Sequence, residues 1–138
     1  MPLIEWHPAL ELGVPQMDET HREFLAVLNG LADASDERIP AAFEALLQHT
    51  LVHFEQEHRW MVAMDFPASH CHLAEHEGVL EVMREVQAYL EEGKLEVARV
   101  LARELAEWFR GHAATMDAML AQYMRAKPMP VEAAGAPA

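Results

Sequence analysis

An all-α fold, an up-down-up-down antiparallel four-helix bundle with an irregular N-terminal arm, is what this sequence predicts, and three observations predict it. The chain of 138 residues has the length of one ordinary domain. It is rich in Ala, Leu, Met, Glu and Arg but holds only two Ile and three Thr, a balance that favours helix over sheet. Its apolar residues recur at three- and four-residue steps in four long segments, and most of the Gly and Pro residues fall between those segments.

The opening stretch to about Gln16, with Pro2, Pro8, Gly13 and Pro15, reads as the arm, with Trp6 packed on the domain. Asp18 is placed to cap a first helix, striped by Phe24, Leu25, Leu28 and Leu31 and ending near Ala32. The polar run from Asp33 to Arg38 is a loop, and Pro40 suits the first turn of a second helix. Phe43, Leu46, Leu47, Thr50, Phe54, Met61 and Met64 carry that helix to a break at Pro67. Ser69 is expected to cap a third, with Leu73, Val79, Leu80, Met83, Val86 and Leu90 as its stripe and Gly93 as its stop. A fourth runs from about Leu95 through Leu101, Leu105, Trp108, Phe109, Met116, Leu120 and Met124 to Pro128. Residues 1–127 thus read as one bundle domain, and the Pro- and Ala-rich residues 128–138 as a disordered tail.

Hydrophobic residues at 51% and charged residues at 24% supply a real core. Ten Lys and Arg against 23 Asp and Glu leave a formal charge of -13, which repels phosphate backbones and anionic lipid headgroups. No nucleic-acid partner and no membrane insertion are expected. Cys71 is the single cysteine, so a disulfide-stapled secreted fold is excluded. The first residues lack the basic region of a secretory signal, and no apolar run approaches the roughly 18 residues of a membrane span. The expected location is the cytoplasm, and the expected state a monomer.

Nine histidines, nearly as many as all Lys and Arg together, demand an explanation. Residues four apart share a helix face. His53 and Glu57 form such a pair on the second helix, and His72 and His76 on the third. The fourth helix offers His112 and Asp117, and the first offers His21. Their heights match. His53 and Glu57 stand 14 and 10 residues before Pro67, and His72 and His76 stand 5 and 9 after it; His76 precedes Gly93 by 17 residues and His112 follows it by 19. His53 borders the apolar stripe of its helix, and His112 lies on its own between Trp108 and Met116, so these rings point inward.

Five imidazoles and two carboxylates inside an apolar interior cost on the order of 1 to 3 kcal/mol each if unpaired, and the carboxylates more. A metal centre removes that cost. One tetrahedral zinc takes four ligands, whereas seven donors suit two octahedral ions with bridging carboxylates. Imidazole and carboxylate without thiolate fit iron or manganese.

The series Asp18-x-x-His21, His53-Phe54-x-x-Glu57, His72-x-x-x-His76 and Trp108-x-x-x-His112-x-x-x-x-Asp117 resembles the hemerythrin family, in particular its bacterial single-domain members. The likeness spans about Trp6 to Met124. It implies a non-haem di-iron centre that binds dioxygen reversibly for storage, buffering or transport, with no enzymatic turnover. His72, His76 and His112 complete one iron (Fe2+/Fe3+) and His21 and His53 hold the other, which is left one position short. Glu57 and Asp117 bridge the pair together with an oxo or hydroxo group. Candidate walls of a dry dioxygen pocket are Phe24, Leu25, Phe54, Trp108, Phe109 and Ala113. A di-iron enzyme acting on peroxide or nitric oxide, or an oxygen or redox sensor working through a separate partner, is the alternative.

One spacing is geometrically awkward. His112 and Asp117 are five apart, about 140° on a regular α-helix, so the sequence predicts a π-type irregularity between them, eased by Gly111. His7, His49, His58 and His70 lie outside the scheme and read as surface or packing residues. Glu75, Glu77, Glu81, Glu85, Glu91 and Glu92 read as a solvated helix face. His72-x-x-Glu75-His76 also matches a metalloprotease signature with Glu75 as base, a reading that leaves the other five ligand-type residues unexplained. Glu55-x-x-His58 matches half of a ferritin-like motif whose second half is absent.

Overall fold

Four antiparallel rods assemble because each presents one apolar stripe. The structure, a computed structural model, describes residues 2–127, in which no strand occurs; the expected tail over 128–138 lies outside the described residues. Helix α1 spans Pro15–Asp33, α2 Ile39–Ala63, α3 Ser69–Glu91 and α4 Glu96–His112. The fourth rod continues through a π turn, Ala113–Asp117, into α5, Ala118–Ala126. Helix α1 packs against α2 and α4, and α3 packs against the same two, which sets the rods at the corners of a square. In the arm, Pro8–Leu10 form a 3-10 turn and Trp6 packs on the core beneath the Arg22 guanidinium, 4.5 Å from its ring centroid.

Several ends are built differently from the sequence expectation. Helix α1 begins at Pro15, with Val14 at its N-cap making no side-chain bond. Asp18 is therefore inside the first turns, and its buried carboxylate reaches back to accept from the backbone N–H groups of Leu12 at 2.8 Å and Gly13 at 3.2 Å. It fastens the arm instead of capping the helix. Ser69 is the first residue of α3, after an N-cap at Ala68 with no side-chain bond. Helix α2 stops at Ala63, ahead of Pro67, in a motif where Asp65 takes a left-handed φ of 49°. The N–H of Asp65 meets Val62 O and that of Phe66 meets Met61 O, satisfying the last carbonyls. Gly93 closes α3 in the same way with φ 82°, a conformation glycine adopts without cost.

The π turn answers the five-residue spacing. An i to i+5 closure inserts one extra residue per turn and carries Asp117 to the face of His112, with His112 Nε2 3.1 Å from Asp117 Oδ1. Gly111 is not its steric cause, because a Cβ there would meet nothing within 4 Å. Thr115 instead donates its hydroxyl to Gly111 O at 2.7 Å within the turn.

Apolar residues form two separate clusters along the bundle. The larger includes Phe24, Leu28, Phe43, Leu46, Phe54, Met83, Leu101 and Phe109; the smaller includes Met17, Trp60, Met61, Phe66 and Leu120. His21 lies between Met17 and Phe24 in sequence, and Glu57 between Phe54 and Trp60. The two clusters thus enclose a polar layer.

Candidate metal centre

That polar layer consists of the seven side chains singled out above. His21 comes from α1, His53 and Glu57 from α2, His72 and His76 from α3, and His112 and Asp117 from the two edges of the π turn. None is more than 4% exposed. Helical periodicity explains the convergence: the pairs at i and i+4 on α2 and α3 each put two donors on one stripe.

The two carboxylates divide the histidines between their oxygens. Glu57 Oε2 lies 3.0 Å from His53 Nε2 and 3.5 Å from His21 Nε2. Its Oε1 lies 3.0 Å from His72 Nε2 and 3.4 Å from His76 Nε2. Asp117 repeats the division, with Oδ2 3.1 Å from His21 and Oδ1 3.1 Å from both His72 and His112. Two donor groups follow: Glu57, His72, His76, His112 and Asp117 in one, and His21, His53, Glu57 and Asp117 in the other, with all donor atoms of a group within 4.8 Å of one another.

Side-chain hydrogen bonds alone leave this layer unsatisfied. Both Asp117 oxygens and His21 Nε2 are buried without a hydrogen-bond partner although they approach to 3.1 Å. The Nε2 atoms of His76 and His112 face each other at 3.3 Å. Native interiors rarely leave so many polar atoms unpaired. A cation among them gives each inward lone pair a partner, and imidazole with carboxylate is a donor set for borderline and hard cations. The cluster fits a metal site.

Without a cation, protons carry the compensation. Burial opposes charge on His21, yet the Asp117 and Glu57 carboxylates outweigh it and push its pKa up to about 10. The same contest raises His72 to about 9, and at His112 the carboxylates of Asp117, Glu75 and Glu57 together outweigh burial and raise the pKa. At His76 burial wins, and the pKa is lowered. Burial would raise Glu57, but His53, His21 and His72 hold it well below the usual carboxylate range. Asp117 is likewise held low by His112, His21 and His72, against its own burial and the charge of Glu57.

Aromatic rings pack around the layer on both sides. Phe24 lies 5.6 Å from His53 and 5.4 Å from Phe109, and Phe109 meets His21 edge-on at 5.1 Å. Leu25 and Ala113 are buried in the larger apolar cluster. Phe54 stacks flat on His76 at 3.7 Å and also touches His53 at 5.3 Å. Trp108 stacks on His112 at 4.3 Å and is half-buried. It therefore stands on the three-histidine side, away from the group with fewer donors, because Trp108 precedes His112 by one helical turn and shares its face.

Sequence reasoning missed the contribution of Glu75. It is not merely part of a solvated face: its carboxylate accepts from His112 Nδ1 at 2.9 Å, which fixes the ring with Nε2 inward. Nothing within α3 signals this, since the partner lies on α4. His49, expected as a packing residue, sits one turn before His53, 5.9 Å from its ring, with Nε2 3.3 Å from Glu23. Thr20 donates to Gln56 Oε1 at 3.0 Å, tying α1 to α2 beside His21 and Glu57. His7 accepts from the Ala9 N–H, His58 lines an outer groove, and Cys71 is exposed.

Comparison with known proteins agrees with this geometry. Residues 12–124 match the family described as Hemerythrin HHE cation binding domain. A bacteriohemerythrin of Ralstonia nicotianae is 43% identical over 90% of this chain and 90% of its own length. One from Aquifex aeolicus is 30% identical over 88% of this chain and 98% of its own, and one from Methylococcus capsulatus 26% identical over 85% and 93%. No solved structure gives a significant match. A matched region that runs from the arm to α5 and contains all seven converging side chains places this chain in the hemerythrin family.

Proposed function

We propose that this chain binds dioxygen reversibly at a pair of iron ions held by His21, His53, Glu57, His72, His76, His112 and Asp117. The observation that carries the reading is the division of the carboxylates: Glu57 and Asp117 each turn one oxygen to His21 and the other to His72. That arrangement would let both carboxylates hold two cations at once, with a solvent-derived oxo or hydroxo group completing the centre. A ferrous pair held there would supply the affinity for dioxygen and the electrons to bind it. The bacteriohemerythrin relatives and the family resemblance support iron over other hard cations.

The residues of the chain supply the rest. Three histidines and both carboxylates form one donor group, while the other has both carboxylates but only two histidines, so a cation held by His21 and His53 would have fewer protein donors and would leave room for a small ligand. Phe24 and Phe109 pack against those two rings and would exclude water and outside protons from that side of the layer. Glu75 holds His112 from behind, so the donor does not rotate away.

Reconstitution with ferrous iron tests the reading. Two irons per chain and a coloured adduct that forms in oxygen and fades under argon are expected. Rapid irreversible bleaching with consumption of peroxide or nitric oxide supports an enzyme instead. A single zinc per chain overturns both readings.

A further inference from the structure

An apolar groove runs between α3 and α4, made of two adjoining hollows of about 350 and 250 Å³ that share Val82, Leu101 and Glu104. Leu101 and Leu105 form its floor and belong to the core. On its lips Val82, Tyr89 and Val100 are 44%, 45% and 40% exposed. One exposed valine needs no explanation, but three apolar side chains around one apolar floor form a contiguous patch of the kind that marks an interaction surface. From Glu75 to Tyr89 the groove follows α3 for roughly 20 Å at 1.5 Å per residue, the span of a short docked helix.

Its charge selects the occupant. The charged side chains lining the two hollows are Glu75 and Glu104 in one and Glu85 and Glu104 in the other, and Lys94 stands beyond them with its Nζ 5.2 Å over the Tyr89 ring at the far end. A second copy seated by two-fold symmetry sets these carboxylates against themselves, on chains of formal charge -13. A basic partner meets opposite charge along the same rim. At one end the groove is lined by Glu75 and Trp108, the two side chains that grip His112 by hydrogen bond and by ring stacking.

We infer that the α3–α4 groove is the docking surface for a basic amphipathic helix of a partner protein, with leucine or aromatic side chains on one face and Lys or Arg beside them. The occupant covers Glu75 and Trp108 and so reaches the outer side of His112. That last consequence rests on His112 serving the metal; the docking does not.

A synthetic dye-labelled helix of about 18 residues, Leu on one face and Lys elsewhere, is the probe, titrated with the full chain by fluorescence anisotropy. Iron content is measured on the same samples. Binding weakens as salt rises, and falls about tenfold in the double variant Val82→Ser with Val100→Ser. It also falls in Glu104→Lys and holds in Glu44→Lys, an equal reversal on α2 outside the groove. All four positions are exposed, and circular dichroism checks that the variants fold. The inference is overturned if Glu44→Lys weakens binding as much as Glu104→Lys does, or if the valine variant binds like the parent. Sedimentation showing the chain pairing with itself through Val82 and Val100 also overturns it. Lost docking with two irons present leaves the oxygen reading standing, and docking by a chain that takes up no iron removes the oxygen reading alone.

Discussion

His112 Nδ1 donates to Glu75 Oε1 at 2.9 Å across the α3–α4 interface, while the Nδ1 atoms of His21, His53, His72 and His76 are buried with no such partner. Glu75 is thus the positioning group of the fourth rod. Replacing it by Gln keeps the shape and weakens the hydrogen bond. Outer partners of this kind are worth about 10- to 100-fold in metal affinity, so Glu75→Gln should lose iron faster to a chelator while circular dichroism shows the metal-free protein still folded. Equal retention of iron would show that the contact is incidental.

Metal loading should release protons. At pH 7 His21 and His72, raised to about 10 and about 9, are protonated in the metal-free chain, and a cation must displace those protons. Calorimetry in two buffers of different ionisation enthalpy should therefore report release from both rings, and affinity should rise with pH. Heats that do not depend on the buffer would contradict this.

The same groups shape the stability of the metal-free protein. A raised histidine stabilises the fold fully below its ordinary value of 6.5 and loses that contribution as pH climbs through about 9 to 10. The lowered carboxylates Glu57 and Asp117 contribute above their ordinary values of 4.5 and 3.8 and lose it as pH falls. Melting temperatures of the metal-free chain should therefore peak between about pH 4.5 and 6.5 and fall progressively as pH rises from there to about 10.

Asp18→Ala should cost about 2 to 4 kcal/mol. It removes the buried acceptor of two backbone N–H groups, at Leu12 and Gly13, and the arm loses its fastening. Denaturant titration measures the loss. Iron stoichiometry should stay at the parental value, which separates this structural aspartate from Asp117.

Asp65→Gly should stabilise by about 0.5 to 1 kcal/mol, since φ 49° costs a residue with a Cβ but not glycine. A drop in melting temperature would mean that the Asp65 side chain makes a compensating contact.

The amino-acid sequence by itself determined four amphipathic rods, the side on which each carries its histidine or carboxylate, and the π turn, because period and spacing within one helix are local properties. Even the conflict between a five-residue gap and a 3.6-residue turn is arithmetic on one rod. Tertiary structure decided what the rods do to one another. Asp18 looks like a helix cap until the arm folds back to place Leu12 and Gly13 within its reach; Glu75 looks like a solvated charge until α4 brings His112 beside it. Contacts between helices depend on their relative height and twist, which emerge from packing the whole core at once and are written in no single stretch of chain.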